Sequence, residues 1–295
     1  MFRIFGPPGT GKTTTLLNMV DEALSSGVTP NKIAFLAFTR KAAHEAKERA
    51  CQRFKLDPQK DLYYFRTLHS LALTLSDIRT EQVMQAENYR ELSEKIGITL
   101  HVDKPSSDDL PDMLKAHDPI LGLINLARLR RVSLKEQYDN STVEEPWVTV
   151  DYVDRGLRKY KEANGLFDFT DMLEQFVQES HRYCPDFDLC FLDEAQDLSP
   201  LQWQIAHLIE KKSKKMYCAG DDDQAIYKWA GADVHHFITM DSPSETLSQS
   251  HRVPKNVHCV AENVARRIKK RHAKKYEPRN LDGQVERIWD INQLD

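Results

Sequence analysis

Gly6-Pro7-Pro8-Gly9-Thr10-Gly11-Lys12-Thr13 constrains this chain more than any other stretch, because the pattern G-x-x-x-x-G-K-T works only between a strand and a helix. Glycines let backbone N–H groups converge on an anion with no Cβ in the way. Lys12 supplies a point charge for the β- and γ-phosphates of a nucleoside triphosphate, and Thr13 offers a hydroxyl to Mg²⁺. Phe2–Phe5 reads as the strand before the loop. Residues 14–24 read as the helix after it, with its positive end toward the phosphates. The loop residues Gly6, Pro7, Pro8, Gly9, Thr10, Gly11, Lys12 and Thr13, with Thr14 just beyond, are the candidate nucleotide contacts.

Further strand signals alternate with helical ones. Residues 32–38 form a continuous apolar run of the kind a buried parallel strand shows, followed by a helical stretch over 41–54. Residues 62–66 read as a strand and 68–75 as a helix, and short strands are expected at 189–192 and 215–219. Alternating βα units imply a parallel sheet covered by helices. Between 77 and 165 the strand signals stop and helical patterns take over, with a Pro/Ser/Asp-rich loop at 105–112. The expected organisation is an α/β domain over 1–76 and 166–240, a helical insertion over 77–165, and a third region over 241–295. In that last part a strand is expected at 245–249, a helix over 254–270 and a strand at 283–289.

No apolar run approaches the length of a membrane span. The five cysteines (Cys51, Cys184, Cys190, Cys218, Cys259) form no CxxC pair, which argues against a zinc site or a disulfide framework. With no signal peptide read at the start, an intracellular location is expected. The net charge of −4 conceals an asymmetry: residues 251–295 carry 11 Lys/Arg against 6 Asp/Glu. The basic run Arg266–Lys275 fits a solvated helix end as well as a polyanion contact.

Two more stretches carry chemistry. Asp193-Glu194-Ala195-Gln196-Asp197 follows a predicted strand, and ligand groups in parallel sheets sit at the carboxyl ends of strands. Asp193 is the candidate Mg²⁺ carboxylate and Glu194 the candidate base for an attacking water. Gly220–Ala232 follows the next strand; its Gln224 is placed to sense a γ-phosphate, while Tyr227 and Trp229 fit either base stacking or core packing.

Together these stretches resemble the UvrD/Rep/PcrA-type superfamily 1 DNA helicases. Gly6–Thr13 matches motif I, Ala37–Ala43 with Arg49 motif Ia, Thr67–Ser70 motif Ib, Asp193–Asp197 motif II, Gly220–Ala232 motif III and Leu247–Arg252 motif IV; Phe167–Leu173 resembles the family's re-entry segment. The resemblance implies a RecA-like P-loop NTPase domain with a helical insertion and the start of a second RecA-like domain. It implies ATP and Mg²⁺ as cofactors and single-stranded DNA, or a single-strand/duplex junction, as partner, with 3′-to-5′ polarity. By carry-over, Lys12, Asp193, Glu194, Gln224 and Arg252 form the catalytic set, with Arg252 reaching the γ-phosphate. Thr13 and Asp193 hold the metal, and Arg49 and His251 join the ATP contacts. Phe38, Thr39, Thr67, His69, Tyr227 and Trp229 line the strand path. The run Arg128-Leu129-Arg130-Arg131 fits a phosphate contact or a surface helix equally. An intracellular site, cytoplasmic or nucleoid-associated (host cytoplasm for a viral source), follows.

Three departures from the family pattern stand out. The adenine-reading stretch before the first strand is not seen, His251 stands where the family has a stacking tyrosine, and motifs V and VI are not found before Asp295. The first two predict weak base discrimination, measurable as similar hydrolysis of ATP and GTP. The third suggests the N-terminal portion of a longer motor, either truncated or with those motifs on a second chain, or the alternative of a non-motor ATP- and DNA-binding accessory module with little turnover. A small-molecule kinase would leave the DEAQD and GDDDQ stretches without a role.

Overall fold

The computed structural model describes residues 1–101 and 118–286. Six parallel strands form the main sheet in the order β3-β2-β4-β5-β1-β6: β1 Phe2–Phe5, β2 Ile33–Ala37, β3 Phe65–Thr67, β4 Phe187–Leu192, β5 Ser213–Gly220 and β6 Ser244–Thr246. The run Ile33–Ala37 is buried throughout because the sheet is covered on both faces. Ile33 and Phe35 pack with α1 (Lys12–Ser25) and α2 (Arg40–Phe54), through Leu16, Leu17, Val20, Ala46 and Ala50. Ala34 and Leu36 point the other way, into a core shared with α3 (Leu68–Leu75), α8 (Phe169–Gln178), α9 (Pro200–Glu210) and α10 (Val234–Thr239).

Helices α4 (Ala86–Ile96), α5 (Pro119–Arg130), α6 (Leu134–Asp139) and α7 (Trp147–Asn164) lie between β3 and β4 in the chain and build their own core from Leu92, Leu121, Ile124, Val150 and Leu157. Where this insertion leaves and rejoins the sheet domain, the two chain segments are zipped together. Met84 N–H donates to Phe167 O at 2.8 Å and Phe167 N–H to Gln82 O at 2.8 Å.

Several expectations change in detail. The predicted strand at 62–66 is only β3; Leu62–Tyr64 form a turn, with Leu62 plugged into the core beneath it. The single strand expected at 245–249 is two. β6 pairs with β1 as the sheet's sixth strand, and β7 (Gln249–Pro254) pairs with β8 (Glu277–Arg279) in a separate two-stranded sheet. The helix expected to reach 270 ends early: α11 spans Lys255–Ala265. Beyond it the chain is drawn away, because Arg271 and Lys274 are bound by acidic groups of the sheet domain. Residues 283–286 are not a strand, and the rest of the strand expected at 283–289 lies outside the described residues, as does the loop expected at 105–112.

Candidate active site

Gly6 leaves β1 with its N–H bonded to Gly220 O at 3.0 Å, which puts the glycine loop at the carboxyl ends of β1 and β5. The loop closes through Thr10, whose N–H and hydroxyl both donate to Pro7 O, at 3.3 and 2.8 Å. Gly11 (φ 85°) caps α1 with no side-chain bond, so the first turn of N–H groups faces the loop's cavity rather than a protein oxygen. Lys12 Nζ lies 2.8 Å from Gly6 O, folded over the same cavity.

The Thr13 hydroxyl donates to Asp193 Oδ2 at 2.7 Å, joining two distant motifs at one point. Burial, and then the charge of Glu194, raise Asp193 to about 6; the same two causes raise Asp197 to about 7. These carboxylates lie beside Lys12 with a surplus of negative charge, which a divalent cation would relieve. The donors are hard oxygens, as Mg²⁺ requires. Among the described residues no three His, Cys, Asp or Glu side chains gather as a metal cluster, so an ion held by Thr13 and Asp193 would complete its shell with phosphate and water oxygens.

Glu194 adopts a left-handed backbone, φ 54° and ψ 44°. The other non-glycine residues with positive φ among those described, Lys55 and Arg131, end helices; Glu194 ends none, and it lines the nucleotide cavity. Strain of this kind concentrates at functional sites. Gln196, part of the motif but given no role from the sequence, is the hub of the next layer. Its amide donates to Glu194 at 2.9 Å and to Asp197 at 3.0 Å, and its oxygen accepts from Asp221 N–H at 3.0 Å. Asp221 in turn accepts from Gln224 Nε2 at 2.6 Å. A continuous chain of hydrogen bonds thus runs from the candidate base to the candidate phosphate sensor.

The strand β7 roofs the glycine loop. Ser250 Oγ donates to Pro8 O at 2.9 Å, His251 N–H to Gly9 O at 2.9 Å, and Tyr276 OH to Pro8 O at 3.0 Å. Gly9 (φ 75°) tolerates no side chain here: a Cβ would sit 2.5 Å from Arg252 Cβ and 2.8 Å from Ser250 Oγ. The cleft between β7 and the loop, about 650 Å³, is lined by the loop from Pro8 to Thr14, by Glu45 and Arg49 of α2, by Glu194 and Gln224, and by His251, Arg252 and Arg279. Every charged or polar residue assigned to nucleotide chemistry from the sequence reaches this cavity, except Asp193, which meets it through Thr13. Arg49 is ion-paired with Glu45. Glu45 and Arg279 were missed, and no local pattern marks either one.

Beyond Gln224 an aromatic ledge begins. Phe38 and Tyr227 rings are 5.5 Å apart, Tyr227 and Trp229 6.3 Å apart, and exposure rises from Phe38 (8%) to Trp229 (58%). Thr39 and Thr67 cap α2 and α3, accepting from Ala42 N–H and Ser70 N–H at 3.1 Å each. His69 is held down to about 4 by burial and by Arg40, so its imidazole is neutral near pH 7. The insertion touches this ledge: Arg130 Nη2 donates to Lys228 O at 3.0 Å.

Each basic run sends charges into internal clusters, while Arg131, Arg266, Arg267, Lys269, Lys270 and Lys275 stay exposed. Arg128 is buried against Asp168, Asp171 and Glu174, with Lys161 completing the cluster. That disposes of the phosphate-contact option for Arg128, since its guanidinium is already saturated by carboxylates. Within Arg266–Lys275, Lys274 is enclosed by Asp221, Asp222 and Asp223, Arg271 pairs with Asp223 at 2.6 Å, and the His272 ring stacks on Phe5 at 3.9 Å.

A parallel sheet with a glycine loop after its first strand, a hydrogen-bonded Thr–Asp pair under it and a second carboxylate beside them defines a P-loop nucleoside triphosphatase. A family model described as the UvrD/REP helicase N-terminal domain matches residues 2–245, and the chain belongs to that family. Over 298 residues it is 28% identical to the ATP-dependent DNA helicase PcrA of Leuconostoc citreum, covering 95% of this chain and 39% of that protein. The PcrA helicase of Staphylococcus aureus (strain Mu50) is 24% identical over 295 residues, covering 95% and 40%. The chain therefore spans about two-fifths of the length of these relatives. Among solved structures, VirB4 of Thermoanaerobacter pseudethanolicus aligns at 13% identity over 91% of this chain and 81% of that one, with a TM-score of 0.30, too low to speak for a shared fold.

Proposed function

We propose that this chain is the ATP-driven portion of a superfamily 1 DNA translocase or helicase, moving 3′ to 5′ along single-stranded DNA inside the cell. The observation that carries the reading is the junction of Thr13 and Asp193 at 2.7 Å beneath a roof bearing Arg252. In this reading residues 1–76 and 166–240 form the motor domain, 77–165 an accessory insertion, and 241–295 the opening of a second motor domain. Lys12 and the N–H groups of the loop hold the β- and γ-phosphates, while Thr13 and Asp193 would hold Mg²⁺, which supplies charge neutralisation on those phosphates. Glu194 takes the proton of the attacking water. Gln224, hydrogen-bonded through Asp221 and Gln196 to Glu194, relays the state of that site toward Tyr227 and Trp229. Arg252 meets the γ-phosphate from β7, so opening and closing of β7 on the loop accompanies each turnover.

ATP hydrolysis with and without a single-stranded oligonucleotide tests this. Strand-stimulated turnover is expected, with Lys12→Ala lowering it by about 10²-fold or more. Binding of both ligands without turnover would instead identify an accessory module. Trp229→Ala is expected to weaken oligonucleotide binding about 5- to 150-fold, the worth of a lost base stack, while leaving unstimulated hydrolysis in place. Unchanged affinity would remove Trp229 from the strand path.

A further inference from the structure

Three cations face the nucleotide cavity without a carboxylate partner of their own. Lys12 rests on a backbone oxygen. Arg252 comes from β7 and Arg279 from β8, and among the described residues neither guanidinium has an ion-pair partner. Arg49, the remaining cation of the cavity, is neutralised by Glu45. We propose that Arg279 is a second guanidinium contact to the polyphosphate of the bound nucleotide, delivered together with Arg252 by the small β7–β8 sheet. The proposal rests on the nucleotide reading of the cavity and goes beyond it by assigning a residue that no motif identifies.

Rigidity of the frame is the main argument. Arg279 pairs in register with Pro254 at the end of β7, and β8 is tied again to β7 by Gln249 Nε2 to Pro278 O at 2.9 Å and to the residue before it by Glu277 N–H to Ser248 O at 2.8 Å. That sheet is itself bonded to the glycine loop through Ser250, His251 and Tyr276. Arg279 therefore stands at a set position relative to Pro8 and Gly9 rather than on a free loop. A guanidinium fork matches phosphate oxygens in pairs, and a triphosphate carries enough negative charge to occupy both arginines as well as Lys12. Because Arg252 and Arg279 share one sheet, any motion that lifts β7 from Gly9 withdraws both together. Nucleotide affinity would then report closure through two charges.

Equilibrium titration with a fluorescent N-methylanthraniloyl-ATP and Mg²⁺ tests the assignment in wild type, Arg279→Ala, Arg279→Lys and the control Lys275→Ala, with inorganic tripolyphosphate as competitor. Arg279→Ala is expected to weaken both the ATP analogue and tripolyphosphate about ten- to a hundredfold. Arg279→Lys should recover part of the loss, and Lys275→Ala should match wild type. Equal affinity in wild type and Arg279→Ala overturns the role of Arg279 and leaves the nucleotide site standing. Weakened ATP analogue with unchanged tripolyphosphate overturns it too, because the contact would then be to base or ribose. A wild-type protein that binds neither ligand overturns the nucleotide reading itself, and this proposal with it.

Discussion

Lys274→Met is expected to destabilise the protein by about 3–5 kcal/mol, read as a lower urea midpoint, because it removes the partner of a buried charge cluster. The Lys274 side chain is 1% exposed, with Asp221 Oδ1 at 3.0 Å, Asp223 Oδ2 at 2.9 Å and Asp222 closer still. Arg271 Nη2 adds a second cation at 2.6 Å from Asp223, and His272 N–H donates to Asp222 Oδ2 at 2.6 Å. Without Lys274, Asp221 and Asp222 keep hydrogen bonds but lose the only cation touching them among the described residues. Burial alone would depress the lysine, yet Asp221 and its neighbours hold it above its ordinary 10.5. A raised lysine contributes stability that is complete below that value and disappears as pH rises through the folded one, so the cluster is intact throughout the neutral range. Adding Asp222→Asn to Lys274→Met should recover part of the loss, since one uncompensated charge goes with it. Additive losses from the two substitutions would show that the charges are not coupled. Function should suffer as well, because Asp221 also holds Gln224 at 2.6 Å.

Arg128→Met is the second substitution with a large expected effect, again about 3–5 kcal/mol. The guanidinium, 14% exposed, reaches Asp168 Oδ2 at 2.8 Å, Asp171 Oδ1 at 2.5 Å and Glu174 Oε2 at 2.7 Å, so one side chain of α5 binds the first two turns of α8. Burial would raise Asp168, but Arg128 and Lys161 outweigh it and hold the carboxyl at about 2. A depressed carboxylate contributes stability above its unfolded value of 3.8 that is lost as pH falls toward 2. In the variant the Asp168 value rises, so acid unfolding should begin at a higher pH than in wild type. Loosening should be local too: limited proteolysis should cut first inside the insertion, whose attachment to α8 depends on this cluster. An acid midpoint unmoved by the substitution would show that Arg128 does not hold Asp168 ionised.

Much of the candidate site was legible because its motifs are local. Gly6–Thr13 needs only a strand, a turn and a helix in succession, and those short-range preferences produce the loop wherever the chain is placed. Asp193-Glu194 and Gln224 were legible for a related reason: each follows a strand of a parallel sheet, and the carboxyl ends of such strands gather on one edge. The unbroken apolar run Ile33–Ala37 likewise foretold a sheet covered on both faces. Element ends were less legible. The helix expected to reach residue 270 stops at Ala265 because distant aspartates, not local propensity, claim the residues after it.

Charge was the poorest guide. Arg128 and Lys274 sit in basic runs that look alike in sequence to a nucleic-acid contact, yet both are buried in ion clusters. Nothing in a one-dimensional pattern distinguishes a lysine facing solvent from one facing three carboxylates far away in the chain. Arg279 is the converse case, an unremarkable arginine made significant by the pairing of β7 with β8. By itself the sequence determined the parallel α/β class, the phosphate loop and the family, and it singled out the carboxylates that follow a neighbouring strand, since each depends on neighbours in the chain or on the order of strands. Only the tertiary structure decided which cations face the cavity and which lock the fold, because a charge takes its meaning from what lies within a few ångströms of it and not from its neighbours in sequence.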